Sequence, residues 1–146
     1  MAKILKIGEL LKKFEKDKEM YRFFLKNFIL ADDLPKIDKY DVDRMLELGG
    51  KAIKSFGVGL CLMDAVKDAL NAKEFENIDV SNAKGVLIAA SCKTMWDYQL
   101  MKRQKDKLHQ LFTADDLNVR YGVIIRQEQY HNIEINILIT GFTKLT

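Results

Sequence analysis

The chain has 146 residues and a mass of 16.9 kDa. That is one domain's length and leaves no room for a complete nucleotide-hydrolysing domain beside a second domain of similar size. Apolar residues make up 48%, charged residues 31%, and there is one proline, which excludes a disordered or collagen-like chain. The net charge of +3 falls short of a dedicated nucleic-acid binder, and it is local: residues 1–30 hold eight Lys/Arg against four Asp/Glu, a net +4, leaving −1 for the rest.

Residues 4–30 read as an amphipathic helix, with Ile4, Ile7, Leu11, Phe14, Tyr21, Leu25 and Phe28 recurring at three, four or seven. Lys18 interrupts the stripe, so the segment is one helix with a weak middle or two helices. Its basic face allows docking on a membrane or a partner; the simpler reading packs its apolar face on the chain's own core. Residues 31–40 form a loop, with Pro35 disfavouring helix at Leu34. A short helix runs from Asp41, a good N-cap, to Leu48, and Gly49-Gly50 closes it in the left-handed manner.

An alternating series follows. Lys51 to Phe56 is a strand closed by a turn at Gly57-Val58-Gly59. Leu60 to Ala72 is a helix. Gly85 to Ser91 is a short, wholly apolar strand of the kind buried on both faces. Thr94 to Phe112 is a long helix with Trp96, Leu100, Leu108, Leu111 and Phe112 inward. Asn118 to Arg126 and Ile133 to Thr140 are strands joined by a hairpin loop. In the last strand Ile133, Ile135, Ile137 and Ile139 alternate with Glu134 and Asn136.

The body thus reads α-β-α-β-α-β-β. Strands separated by a helix should run parallel, and the last pair can be antiparallel. The fold class is α+β, a two-layer α/β sandwich. It has a four-stranded mixed sheet in β-α-β-α-β-β order, helices mainly on one face, and an N-terminal helix in addition.

Few motifs carry chemistry. There is no GxxxxGK[ST], GxGxxG or GxSxG, and no nucleotide-binding residue is assigned. His109 and His131 lie far apart without neighbours at metal-ligand spacing, so neither metal nor cofactor is expected. The basic run Lys102 to Lys107 is a solvated helix face, so no nucleic acid is expected as a partner. Cys61 and Cys92 form no CxxC pair and read as free thiols in a reducing compartment. The lysines near the N-terminus leave no signal-peptide h-region. The longest apolar run, Val86 to Ala90, is too short to span a bilayer, and a cytoplasmic protein is expected.

One stretch is more specific. Residues 69–88 contain Ala69-Leu70-Asn71 and then Ile78-Asp79-Val80-Ser81-Asn82-Ala83-Lys84-Gly85-Val86-Leu87-Ile88. This resembles the C-terminal domain of FtsZ, the bacterial tubulin-like cell-division GTPase. There a helix ending is followed by an Ile-Asp-Ile/Val-Ser-x-Ala-Lys/Arg-Gly-Val-Leu run into a buried strand. The segments Val119-Arg-Tyr-Gly122-Val-Ile and Ile133 to Phe142, ending Thr140-Gly141-Phe142, are similar to the family's closing strands. The resemblance covers about residues 34–142 and implies the same strand and helix order. It divides the chain into an N-terminal amphipathic helical segment, 1–33, and an FtsZ C-terminal-like domain, 34–146.

The family's GTPase domain, with its glycine-rich loop, has no counterpart in this sequence. The resemblance therefore implies no enzyme: the chain could at most complete a partner's GTPase site. The family's acidic loop reads Leu-Ile-Asn-x-Asp-x-x-Asp; it enters the nucleotide pocket of the next filament subunit and helps activate the attacking water. Here the loop reads Leu34-Pro35-Lys36-Ile37-Asp38-Lys39-Tyr40-Asp41. The resemblance places the two carboxylates on Asp38 and Asp41 and puts Lys36 where the family has Asn. Carboxylates can orient a water toward a phosphate; equally, Asp41 caps a helix and Asp38 stabilises a turn. Lys36 would pair with a phosphate or spoil the geometry.

The expected partner is an FtsZ-type filament subunit, bound through Lys36, Asp38 and Asp41, or a second copy of the chain. The alternatives are a fragment of a divergent FtsZ, and a scaffold using the N-terminal helix, for which Phe14 and Phe28 would be contact residues. The family's C-terminal linker and anchor-recruiting peptide have no counterpart, so membrane tethering by that route is not expected.

Overall fold

The computed structural model describes residues 3–26, 28, 37, 39–47 and 50–144. In order these form β1 (Lys3–Lys6), α1 (Ile7–Lys16), α2 (Lys18–Lys26), α3 (Lys39–Glu47), β2 (Lys51–Gly59), α4 (Leu62–Leu70), β3 (Ile78–Asp79), β4 (Gly85–Cys92), α5 (Met95–Gln104), β5 (Asn118–Ile125), β6 (Ile133–Thr140) and β7 (Thr143–Lys144), with three short 3-10 turns between. Five strands make one mixed sheet in the order β1-β2-β6-β4-β5, and β3 pairs with β7 apart from it. β6 is antiparallel to both neighbours, and β4 is parallel to β5. The α+β class with a mixed sheet is the one expected from sequence; the helices, expected mainly on one face, cover both.

The sheet has two cores because β4, buried along all eight residues, faces helices on both sides. On one face Ile133, Ile135, Ile137 and Ile139 of β6 join Val86, Ile88 and Ala90 of β4 under α4 and α5. On the other, Leu87, Ala89, Leu138 and Ala52 meet Ile7, Leu10, Phe14, Phe24, Val42, Met45 and Leu46 from α1, α2 and α3.

Several expectations are corrected. The sheet has five strands instead of four, because residues 3–6 form an edge strand and not the start of a helix. The helical segment divides at Asp17, whose carboxylate accepts from the Met20 amide at 3.1 Å and so caps the second helix. Segment 126–132 is not a hairpin loop. β6 inserts between β2 and β4, so β5 and β6 do not pair. The connection crosses the end of β4 instead, where the Gln129 side-chain amide donates to the carbonyls of Ser91, His131 and Asn132 at 2.8–3.1 Å.

Gly57 and Gly59 lie within β2 instead of in a turn. A side chain at Gly57 would overlap the Ala65 carbonyl, and one at Gly59 would meet the Ala65 amide at 2.7 Å. These glycines let α4 lie close on the strand. Trp96 is not inward but 70% exposed. The helix over 94–112 changes to a 3-10 turn over Lys105–Gln110, and its inward line runs through Asp97 and Met101, then Leu108 and Phe112. Thr94 caps α5: its hydroxyl accepts from the Asp97 amide at 3.1 Å, as an N-cap side chain does, and donates to the Asp97 carboxylate at 2.8 Å.

Candidate functional site

The segment from Leu34 to Asp41 leads into α3. Lys36 and Asp38, with Pro35, lie outside the described residues, as does Gly49. Ile37 is fully buried in the core shared by α1, α2 and α3, so the chain enters α3 from a fixed apolar anchor. α3 begins at Lys39, two residues before the expected N-cap. Asp41 therefore stands in the first turn, where a carboxylate favours the helix dipole, and not at the cap. Val42, Met45 and Leu46 seat α3 on the sheet.

Asp41 is held by a residue far away in sequence. The Arg120 Nε of edge strand β5 lies 3.2 Å from Asp41 Oδ1. The same guanidinium donates to the Val119 carbonyl at 3.3 Å. The Asp41 side chain is 17% exposed against 47% for Arg120, so the carboxylate is the more enclosed partner. Asp43, one residue beyond Val42, is engaged elsewhere. It accepts from the Tyr21 hydroxyl at 2.8 Å and lies 4.0 Å from Lys39 Nζ. Burial first, and then the Asp43 hydrogen bond, push the Tyr21 hydroxyl up to about 12. Arg44 stacks over the exposed Tyr40 ring at 5.4 Å. The N-terminal end of α3 thus presents Lys39, Tyr40 and a guanidinium-paired carboxylate beside β5.

What this arrangement can do is position. A carboxylate that accepts a charge-assisted hydrogen bond through one oxygen is held toward its donor, which suits contact with a partner's polar group. Sequence reasoning named Asp41 but missed Arg120, which is 79 positions away and becomes its neighbour only through the β4–β5 register.

The stretch that carried the resemblance performs structural work. Asp79 accepts from the Ser81 amide at 3.0 Å, from the Ser81 hydroxyl and from Asn82 Nδ2, locking the turn before β4. Ala83 is fully buried. Gly141 has φ +69, and a side chain there would meet Lys84 Cβ at 2.9 Å, while the Lys84 amide donates to the Thr140 carbonyl at 3.1 Å. These residues join the two ends of the domain. The remaining candidates stay apart: His109 is exposed on its 3-10 turn, and His131 packs edge-on against Tyr130 at 4.8 Å. Burial, with a smaller effect of Asp97, pushes the Cys92 thiol up to about 11. Among the described residues no helix is long and apolar enough to cross a membrane, and no group of three or more His, Cys, Asp and Glu could hold a metal ion.

No family model matches the sequence, and no curated protein matches it. Solved structures do. An empty FtsZ dimer from M. jannaschii superposes with a TM-score of 0.64 at 22% identity, over 80% of this chain and 34% of its own. A single-site mutant of M. jannaschii FtsZ gives a TM-score of 0.65 at 21% identity, over 91% of this chain and 41% of its own. The chain has the fold of the FtsZ C-terminal domain and spans about a third to two-fifths of the FtsZ chains it matches.

Proposed function

We propose that these residues form a cell-division module that binds FtsZ-type filaments and modulates them, by capping or inhibition, through the acidic segment Lys36, Asp38 and Asp41. The observation that carries this reading is Asp41. It closes the segment that resembles the family's acidic loop, and Arg120 fixes it in the first turn of α3. A carboxylate fixed in place meets a partner's nucleotide face without first losing rotamer freedom. The module has no catalysis of its own in this reading. Its carboxylates would at most orient a water on the partner's γ-phosphate, in line for displacement. Lacking a phosphate loop in this sequence, it would join a filament end and not extend it. Its place would be the cytoplasmic side of a bacterial septum.

The test adds the purified protein to FtsZ from the same cell. Polymer pelleting and GTP turnover should both fall at stoichiometric addition, and Asp41→Asn should lose the effect while keeping its circular dichroism. Unchanged pelleting and turnover overturn the reading. A second reading is favoured by the coverage of only 34–41% of the matched chains: these residues are a fragment of a divergent FtsZ. A glycine-rich GTPase domain in the flanking coding sequence would establish that one. Sedimentation of the protein alone reads out self-association.

A further inference from the structure

Across β1 and β2 the register sets Lys3 directly opposite Lys54, and like charges so opposed are destabilising. The pair begins a row that crosses the whole sheet on one face: Lys3, Lys54, Leu138, Leu87, Arg120. At the β5 end of that row the charge is answered, since Arg120 meets Asp41. At the β1 end, no carboxylate among the described residues lies within ion-pair distance of either ammonium. Lys54 is half-buried, with its Nζ 5.9 Å from the Phe24 ring centre. Burial, and then the Lys3 charge, lower its pKa.

The two lysines stand over an apolar pocket of about 160 Å³ walled by Leu5, Leu10, Phe14, Met20, Phe23 and Phe24. Phe23 is 72% exposed and Met20 39%, so the apolar surface continues from the pocket outward. A cavity of about 150 Å³ holds a benzene ring; the pocket therefore has room for one apolar side chain.

We propose that this pocket docks an acidic peptide segment of a partner protein, which inserts one phenylalanine or leucine side chain between α1 and α2 and sets an adjacent Asp or Glu carboxylate between Lys3 and Lys54. An anion there converts a repulsive pair into two charge-assisted hydrogen bonds, while the inserted ring removes apolar surface from water. Acidic motifs are recognised by clusters of cationic side chains, and apolar anchors by hydrophobic grooves; this site sets the two side by side. The site lies at the opposite edge of the sheet from Asp41 and stands independently of the filament reading.

The test titrates the ¹⁵N-labelled 146-residue chain with acetyl-Glu-Glu-Phe-Glu-Glu-amide. The comparison ligands are its Gln-for-Glu counterpart and phosphatidylglycerol vesicles. The acidic peptide should move the amide resonances of Leu5, Leu10, Phe24 and Lys54, and bind at least about fivefold more tightly than the Gln peptide. Lys3→Gln and Lys54→Gln should each erase most of that preference; Lys51→Gln, on the other face of β2, should not. Removing one of two opposed charges should leave the fold intact and Tm unchanged or raised, so a failed variant is not mistaken for lost binding. Equal affinity for the two peptides, no response at millimolar peptide, an unchanged Lys54→Gln, or vesicle binding without a peptide response overturns the proposal.

Discussion

At the residue scale, two carboxylates on one helix have been given different work by their neighbours. Asp41 points to Arg120 on the sheet edge, and Asp43 takes the Tyr21 hydroxyl from α2. The second contact has a pH signature. Tyr21 is held protonated in the folded state up to about 12 against 10.0 in the free side chain. The unfolded chain therefore gives up that proton first as pH rises. The stability it contributes is full below pH 10 and is lost as pH climbs through 12. Tyr21→Phe removes the hydrogen bond and should cost about 1 kcal/mol at neutral pH. The gap between wild type and Tyr21→Phe should then narrow from pH 10 upward. Urea unfolding of both proteins at pH 7 and pH 11 measures it. The buried Cys92 thiol, raised to about 11, weakens both proteins alike in that range and cancels in the difference.

At the element scale, α4 lies close on β2, and this approach depends on Gly57. Added bulk in a packed core costs roughly 1–3 kcal/mol. At Gly57 the obstruction is the backbone of Ala65 and Ala69, not a flexible side chain. Gly57→Ala should therefore lie at or above the upper end of that range, read as a lower urea midpoint with unchanged slope, whereas Gly8→Ala, where nothing lies within 4 Å, should not lower it. The sequence showed these glycines only as punctuation. A turn and a close helix–strand contact leave the same mark in one dimension. The wholly apolar β4 and the alternating β6 were legible because each writes its environment into its own residues. β1 was not legible: four residues reading Lys-Ile-Leu-Lys fit the start of a basic helix as well as an edge strand. Nor was the β2-β6-β4 order, since adjacency in the sheet is decided by contacts between distant segments. The candidate site divides in the same way. Asp41 was legible through its local motif; Arg120 and the Lys3–Lys54 pair exist as neighbours only once the register is known.

At the scale of the whole molecule, Ile7, Phe14 and Phe28 of the expected apolar stripe are buried within the chain, joined by Leu10 and Phe24, while Ile4 and Leu11 stay exposed. Phe14 is 6% exposed and Phe28 fully buried, so both belong first to the chain's own core, with Phe14 also walling the pocket between α1 and α2. Phe14→Asp or Phe28→Asp should unfold the protein and not merely abolish binding. The core they belong to also contains Val42, Met45, Leu46, Leu87, Ala89 and Leu138, so residues on both sides of the boundary expected near residue 33 share it. Removing residues 1–26 would take away Ile7, Leu10, Phe14 and Phe24 and bare the sheet face beneath them. Each such side chain is worth about 1.5–3 kcal/mol on burial. Four of them approach the whole stability of an ordinary domain, roughly 5–15 kcal/mol. The truncated chain should therefore fail to give a cooperative thermal transition, and its exposed face should bind a hydrophobic dye. A truncated chain that melts cooperatively near the full-length Tm would show that the α4 and α5 layer is sufficient on its own and that the N-terminal helices are an attachment.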